Sequence, residues 1–392
     1  VTDPARQARR LGDDGGAVMD RWVLGSALAL VALGLVMVVS SSIAVADREL
    51  GEPFYFAMRQ GVFLALGVGV VALVVRVPLN VVEALSRLAL PAMFALLLLV
   101  FVPGLGFSVN GSMRWIDLGP LNFQVAEAVK LLMIVFVAGY LVRQQQALQE
   151  RFTAPFKPLL IALLASGLLL LQPDFGAAVL LVAITGGMVW LAGARFRYLA
   201  ALALMVLPLM ASAALLEPYR LRRLTSFLDP WSDPYANGFQ LTQALIAVGR
   251  GEWLGVGLGS SVQKLFYLPE AHTDFIFAVI AEELGLLGVA AVIALFGVLV
   301  GRALWLGYRC LAAGRPFAGY LAYGIGLWIG LQALISMGVN LGVLPTKGLT
   351  LPLISYGGSS LLVMCASVGI LLRIGMELGE PRHFTRRRTR RQ

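Results

Sequence analysis

Cysteine, histidine and charge are all scarce in this chain. Two cysteines and two histidines occur in 392 residues. Cys310 ends one apolar run and Cys365 lies inside another, which excludes a disulfide framework. His272 and His383 are too few for a histidine-rich metal site. No phosphate-binding glycine loop or nucleophile elbow is present, because "GVGLGS" lacks the strand and helix such a loop needs. Only 14% of residues are charged, too few to solvate the surface of a soluble protein this long.

Apolar side chains fill that space. They make up 59% of the chain, and the mean hydropathy is +0.82. This points to an all-α integral membrane protein, since a helix satisfies its own backbone in lipid. Apolar segments of spanning length occur at about 22–45, 57–75, 88–103, 125–142, 158–172, 175–193, 198–216, 274–301, 317–339 and 358–374. That predicts ten transmembrane helices in a membrane domain over 21–374. It is flanked by an N-terminal tail, 1–20, and a basic C-terminal tail, 375–392. Residues 44–46, Ala-Val-Ala, resemble a signal-peptidase site, but the preceding apolar run is too long for a signal peptide and reads as an uncleaved first span.

The net charge of +9 sits mainly in tails and short loops, which favours anionic lipid over nucleic acid as its counterpart. With the N-terminus inside, 21 of the 31 Lys and Arg residues are cytoplasmic and nine face outward, with Lys130 within a span. The positive-inside rule therefore predicts that both termini are cytoplasmic. Three outward segments are elaborate. The largest, 217–273 between spans seven and eight, opens with Pro218, Pro230 and Pro234 and the cluster Arg220, Arg222 and Arg223, then a short amphipathic helix and a glycine-rich turn. The others are turn-rich stretches at 102–124 and 340–360.

An ionised side chain near the centre of a span costs about 2.5–3.5 kcal/mol on insertion scales, so such residues invite a functional reading. Glu127 and Lys130 share a helix face three residues apart, and serve either helix packing or ligand binding. Asp174, after Pro173, reads as a turn residue and helix cap. Asp274 lies at the outer edge of span eight, as either its N-cap or part of a polar site. Glu282 lies about 12 Å deeper and rotated by about 80°, so it can share a cavity with Asp274, while Glu283 faces another helix. These residues alone allow a transporter or a membrane enzyme acting on a lipid-linked anion.

"NGSMRWIDLGPLNFQVAEAVKL", "QPDFGAAVLL", "YLPEAHTDFIFAVIAEELGLLG" and "LPTKGLTLPLISYGGSS" together resemble the SEDS family of bacterial cell-wall polymerases, in order and over most of the chain. The last motif, with Lys347, is similar to the division branch. Ser112-Met113 stands where relatives often have Ala-Arg, Val125-Ala126 where Pro-Ser is common, and Phe266 where some carry an acid.

The resemblance implies an inverting peptidoglycan glycosyltransferase using lipid II, with Asp274 as the catalytic carboxylate. It places Lys347, Arg114, Glu270, His272, Lys130, Glu127, Glu282, Arg220, Arg223 and Ser355 in substrate or diphosphate binding, with His272 as a hydrogen-bonding prop. A divalent cation held by acids such as Asp274 and Glu270 is an alternative partner for the diphosphate. The implied partners are lipid II, membrane lipids, a class B penicillin-binding protein and small bitopic division proteins, and no nucleic acid. The implied location is the bacterial inner membrane at the division septum. A lipid II flippase and a non-catalytic divisome scaffold are the competing readings.

Overall fold

The computed structural model describes residues 19–379 except 110–111, 118, 120–121, 152, 196, 199, 201–203, 205–207, 209–225, 237 and 347. Among these, the chain is helical with one small sheet. The elements run α1 (Arg21–Leu50), α2 (Tyr55–Arg76), α3 (Leu79–Leu85), α4 (Ala89–Leu99), β1 (Gly106–Val109), β2 (Ser112–Asp117), β3 (Asn122–Gln124), α5 (Val125–Arg143), α6 (Ala147–Glu150), α7 (Thr153–Leu171), α8 (Phe175–Leu191), α9 (Phe239–Gly251), α10 (Ile276–Ala312), α11 (Pro316–Asn340) and α12 (Gly358–Gly379).

Seven helices, α1, α2, α5, α7, α10, α11 and α12, are long and apolar enough to cross a membrane, and the α3–α4 pair makes an eighth if its 65° bend lies within one span. Helix α8 is apolar but shorter. Most of the seventh predicted span, 198–216, lies outside the described residues. Apolar side chains from the long helices interlock in one large core that includes Leu30, Met93, Met133, Leu181, Phe277 and Trp328.

Two features depart from ten plain helices. The 102–124 segment holds a three-stranded antiparallel sheet in the order β1-β2-β3. Short alternating stretches on either side of Asn110-Gly111 carry it, a pairing that suits a hairpin. Helix α10 is not continuous, because Gly285 adopts φ 65° and ψ −163° and breaks it. A broken helix exposes backbone groups that lipid cannot satisfy, so protein must cover them. The segment after α9 does so. Val256 and Gly257 donate to the Glu282 and Glu283 carbonyls at 2.9 and 3.1 Å, while Leu286 and Leu287 donate to the Glu252 and Trp253 carbonyls at 2.9 and 3.3 Å. The approach requires glycine, since a Cβ at Gly285 would lie 2.3 Å from the Gly255 nitrogen.

Candidate active site

The residues gather where the turn 268–275 leads into α10 and meets the loop between α11 and α12. Three consecutive carbonyls of that turn each accept a hydrogen bond. His272 receives the Tyr356 amide at 3.0 Å. Thr273 receives the Ser355 hydroxyl at 2.6 Å. Asp274 receives the Asn340 side-chain amide at 3.0 Å. Glu270, in the left-handed region at φ 57°, closes the turn from the other side. Its carbonyl accepts from the amides of Thr273 and Phe275, and its carboxylate from the Thr273 hydroxyl at 2.6 Å.

Asp274 is half-buried. It is not the cap of α10: Phe275 occupies that position, and the first-turn amide of Ala278 is satisfied by Asn340 Oδ1 at 3.0 Å. The Asp274 carboxylate lies against Gly348, where an added Cβ would come within 2.9 Å of Oδ2. Gly348 is exposed, so the carboxylate sits beneath an open stretch of backbone next to position 347. Lys347, Arg220 and Arg223 fall outside the described residues.

The other predicted residues divide by what they touch. Ser355 Oγ braces the scaffold, accepting from the Leu351 amide at 2.9 Å while donating to Thr273, so its hydroxyl is used internally and not presented to a ligand. His272 is a packing group where a hydrogen-bonding prop is expected. Its ring lies against Phe56 and Tyr356, with centroids at 4.7 and 5.6 Å, and its buried Nδ1 has no hydrogen-bond partner among the described residues. Burial pushes the imidazole below its ordinary pKa, and the charges of Glu270 and Glu49 oppose that shift. Arg114, on β2, donates to the Pro173 carbonyl at 2.8 Å and pins the sheet to the turn before α8. Asp174 in that turn caps α8 through the Ala177 amide at 3.0 Å.

Glu127 and Lys130 form a buried pair at 2.8 Å. Lys130 also donates to Gln332 Oε1 at 2.7 Å and lies 5.1 Å from the Trp328 ring centroid. Gln332 passes the connection on, donating to the Thr350 carbonyl at 3.0 Å. The pair thus joins α5 to α11 and to the loop that carries Gly348.

Glu282, expected to share a cavity with Asp274, is held by another segment. Among the described residues its carboxylate partners come from the 250–263 segment: the Ser261 hydroxyl at 2.5 Å, the amides of Val262 and Gln263 at 3.2 and 3.4 Å, and the Arg250 guanidinium at 3.5 Å. Glu283 pairs with Lys264 at 2.7 Å and accepts from Ser40 of α1 at 2.8 Å. Among the described residues, no group of three His, Cys, Asp or Glu side chains is placed to hold a metal. The pair Asp274 and Glu270 would serve a cation only if phosphate oxygens completed its shell.

Sequence reasoning missed Gly348, Asn340, Gln332, Trp328 and Lys264. Asn340 and Gln332 are side-chain amides in a strongly apolar span, and that isolation is itself a signal. Gly348 and Lys264 carry no such mark, because their partners are distant in sequence.

Comparisons with known proteins agree in family and fold. The family FTSW_RODA_SPOVE, described as "Cell cycle protein", matches residues 21–380. A protein of Xanthomonas oryzae pv. oryzae named "Probable peptidoglycan glycosyltransferase FtsW" is 52% identical over 377 residues, covering 96% of this chain and 76% of that one. One of Thioalkalivibrio sulfidiphilus with the same name is 54% identical over 355 residues, covering 91% and 89%. Among solved structures, a chain from "Structural coordination of polymerization and crosslinking by a peptidoglycan synthase complex" superposes with a TM-score of 0.74 at 31% identity, covering 92% of this chain and 98% of that one.

Proposed function

The chain belongs to the FTSW_RODA_SPOVE family of cell cycle proteins, and from that premise we propose how its site works. It is a multi-pass membrane peptidoglycan glycosyltransferase, resembling the FtsW proteins of Gram-negative bacteria. Its reaction joins lipid II disaccharide units into glycan during septal wall synthesis. An acceptor sugar hydroxyl attacks the anomeric carbon of a diphosphate-linked sugar. The new C–O bond forms as the old one breaks, and the bonding pair leaves with the diphosphate. Asp274 takes the hydroxyl proton as its general base. Single displacement by one base inverts the anomeric centre and needs no covalent intermediate.

The observation that supports this reading is the state of Asp274. Its backbone is fixed by a neighbouring helix, the N-cap position of α10 belongs to Phe275, and its carboxylate lies under exposed Gly348. Positive charge for the departing diphosphate comes from Lys347, which adjoins Gly348 in sequence, and from Arg114.

Ten spans with both termini cytoplasmic put this end of the bundle outside, where lipid II is used. A class B penicillin-binding protein and small bitopic division proteins complete the assembly at the septum. The test is purified protein in detergent micelles supplied with lipid II. Glycan strands should form without a bilayer. Failure to polymerise in micelles, with lipid II translocation in vesicles, would establish a flippase instead.

A further inference from the structure

Asn340 is the last residue of α11 and is wholly buried. Its amide has two ends with different work. Oδ1 accepts from the Ala278 amide in the first turn of α10 at 3.0 Å. Nδ2 donates to the Asp274 carbonyl at 3.0 Å and to the Ser336 carbonyl of its own helix at 2.8 Å. The orientation is fixed by chemistry, since a flipped amide would set its oxygen against two carbonyls and its nitrogen against an N–H.

We infer that Asn340 is a positioning residue for the transfer reaction, holding the Asp274 peptide so that the carboxylate meets the acceptor hydroxyl. The inference rests on the reading of Asp274 as the base. Of the three braced carbonyls in the turn, the one at Asp274 belongs to the residue whose carboxylate does the chemistry. The bond to Ser336 holds the donor end to α11, so the position of Asp274 is referred to that helix and not to the turn alone. A displacement of about 1 Å in a reacting group costs on the order of 10²-fold in rate. The capping end stabilises the helix whatever the chemistry, so the two ends can be separated by substitution.

Asn340→Asp separates them. At pH 8 an ionised carboxylate still caps α10, where a helix N-terminus favours negative charge, but it has no N–H for Asp274. Asn340→Leu removes both ends. The assays are lipid II polymerisation in detergent across a range of substrate concentrations, and thermal unfolding of the same preparations. The expected result for Asn340→Asp is kcat lowered roughly 10- to 100-fold with KM near wild type, and an unfolding midpoint that falls because the new oxygen faces two carbonyls. Asn340→Leu should lose the midpoint as well. If Asn340→Asp folds poorly, kcat per folded molecule decides: a value below wild type supports the role, and an equal value overturns it.

Asp274→Asn, assayed alongside, distinguishes the two failures. An inactive Asp274→Asn with a fully active Asn340→Asp overturns the positioning role alone. An active Asp274→Asn overturns the catalytic reading, and this inference with it.

Discussion

Asp274 and the Glu282–Glu283 pair lie close together in sequence, yet their neighbours treat them in opposite ways. At 282 and 283 the side chains do the fastening. Both are fully buried, and their oxygens gather a hydroxyl, two amides and a lysine from the segment that covers the break in α10, and a guanidinium from the end of α9. At 274 the backbone is fastened from outside, and the half-buried side chain is aimed at an exposed glycine. An acid in a membrane protein serves as glue where its partners are polar groups of its own chain. The role proposed for Asp274 as a tool goes with a peptide held by the scaffold and a half-buried carboxylate beneath an exposed glycine.

That contrast can be broken at its strongest point. Lys264→Met leaves Glu283 buried without its cation, which costs about 3–5 kcal/mol. Thermal unfolding should register the loss, and Lys264→Met combined with Glu283→Leu should recover most of it. A single variant as stable as wild type would mean that the deep acids are not glue. Gly348→Ala probes the other side of the contrast. Its Cβ displaces the Asp274 carboxylate, so turnover should fall by about 10²-fold while the unfolding midpoint holds. A parallel loss of both would place Gly348 in the scaffold.

Smaller effects sharpen the comparison. Ser355→Ala removes a donor to the turn and should cost about 1 kcal/mol, read by chemical denaturation. His272 supplies a pH dependence of known sign. Its folded pKa is lowered, so the unfolded chain binds the proton first, and stability present above the ordinary histidine pKa is lost as pH falls through the lowered one. His272→Phe should flatten that acid limb in unfolding midpoints measured from pH 7 downward.

Much of this architecture was legible in the sequence, because hydropathy declares a spanning helix directly. Nine of the ten predicted spans correspond to helices among the described residues, α3–α4 forming one bent pair and α8 a shorter helix. The Asp174 cap was also readable, since it depends on the local Pro173-Asp174 turn. The sheet at 106–124 was signalled by Asn-Gly between alternating residues, but it is easily overlooked in a chain dominated by helices. The break at Gly285 was hidden, because one glycine in an apolar run reads as tolerated until a second segment approaches it.

The acids of the candidate site could be singled out in the sequence, and their partners could not. Asp274 stood out as a charge at a span edge. The bond that fixes its peptide comes from Asn340, 66 residues away in sequence, and the bond on the preceding carbonyl comes from Ser355, 82 residues from Thr273. The same limit explains why Glu282 was expected beside Asp274. Helical geometry relates the two on one helix, but Ser261 and Arg250 claim the carboxylate from a segment that periodicity cannot place.

Polymerisation of lipid II by purified Asp274→Asn protein is the most direct measurement. The amide keeps the shape of the side chain and removes its capacity to take a proton. The account predicts unchanged folding and lipid II binding, with glycan synthesis lowered by about 10²- to 10⁴-fold. Long glycan strands made at the wild-type rate would contradict it.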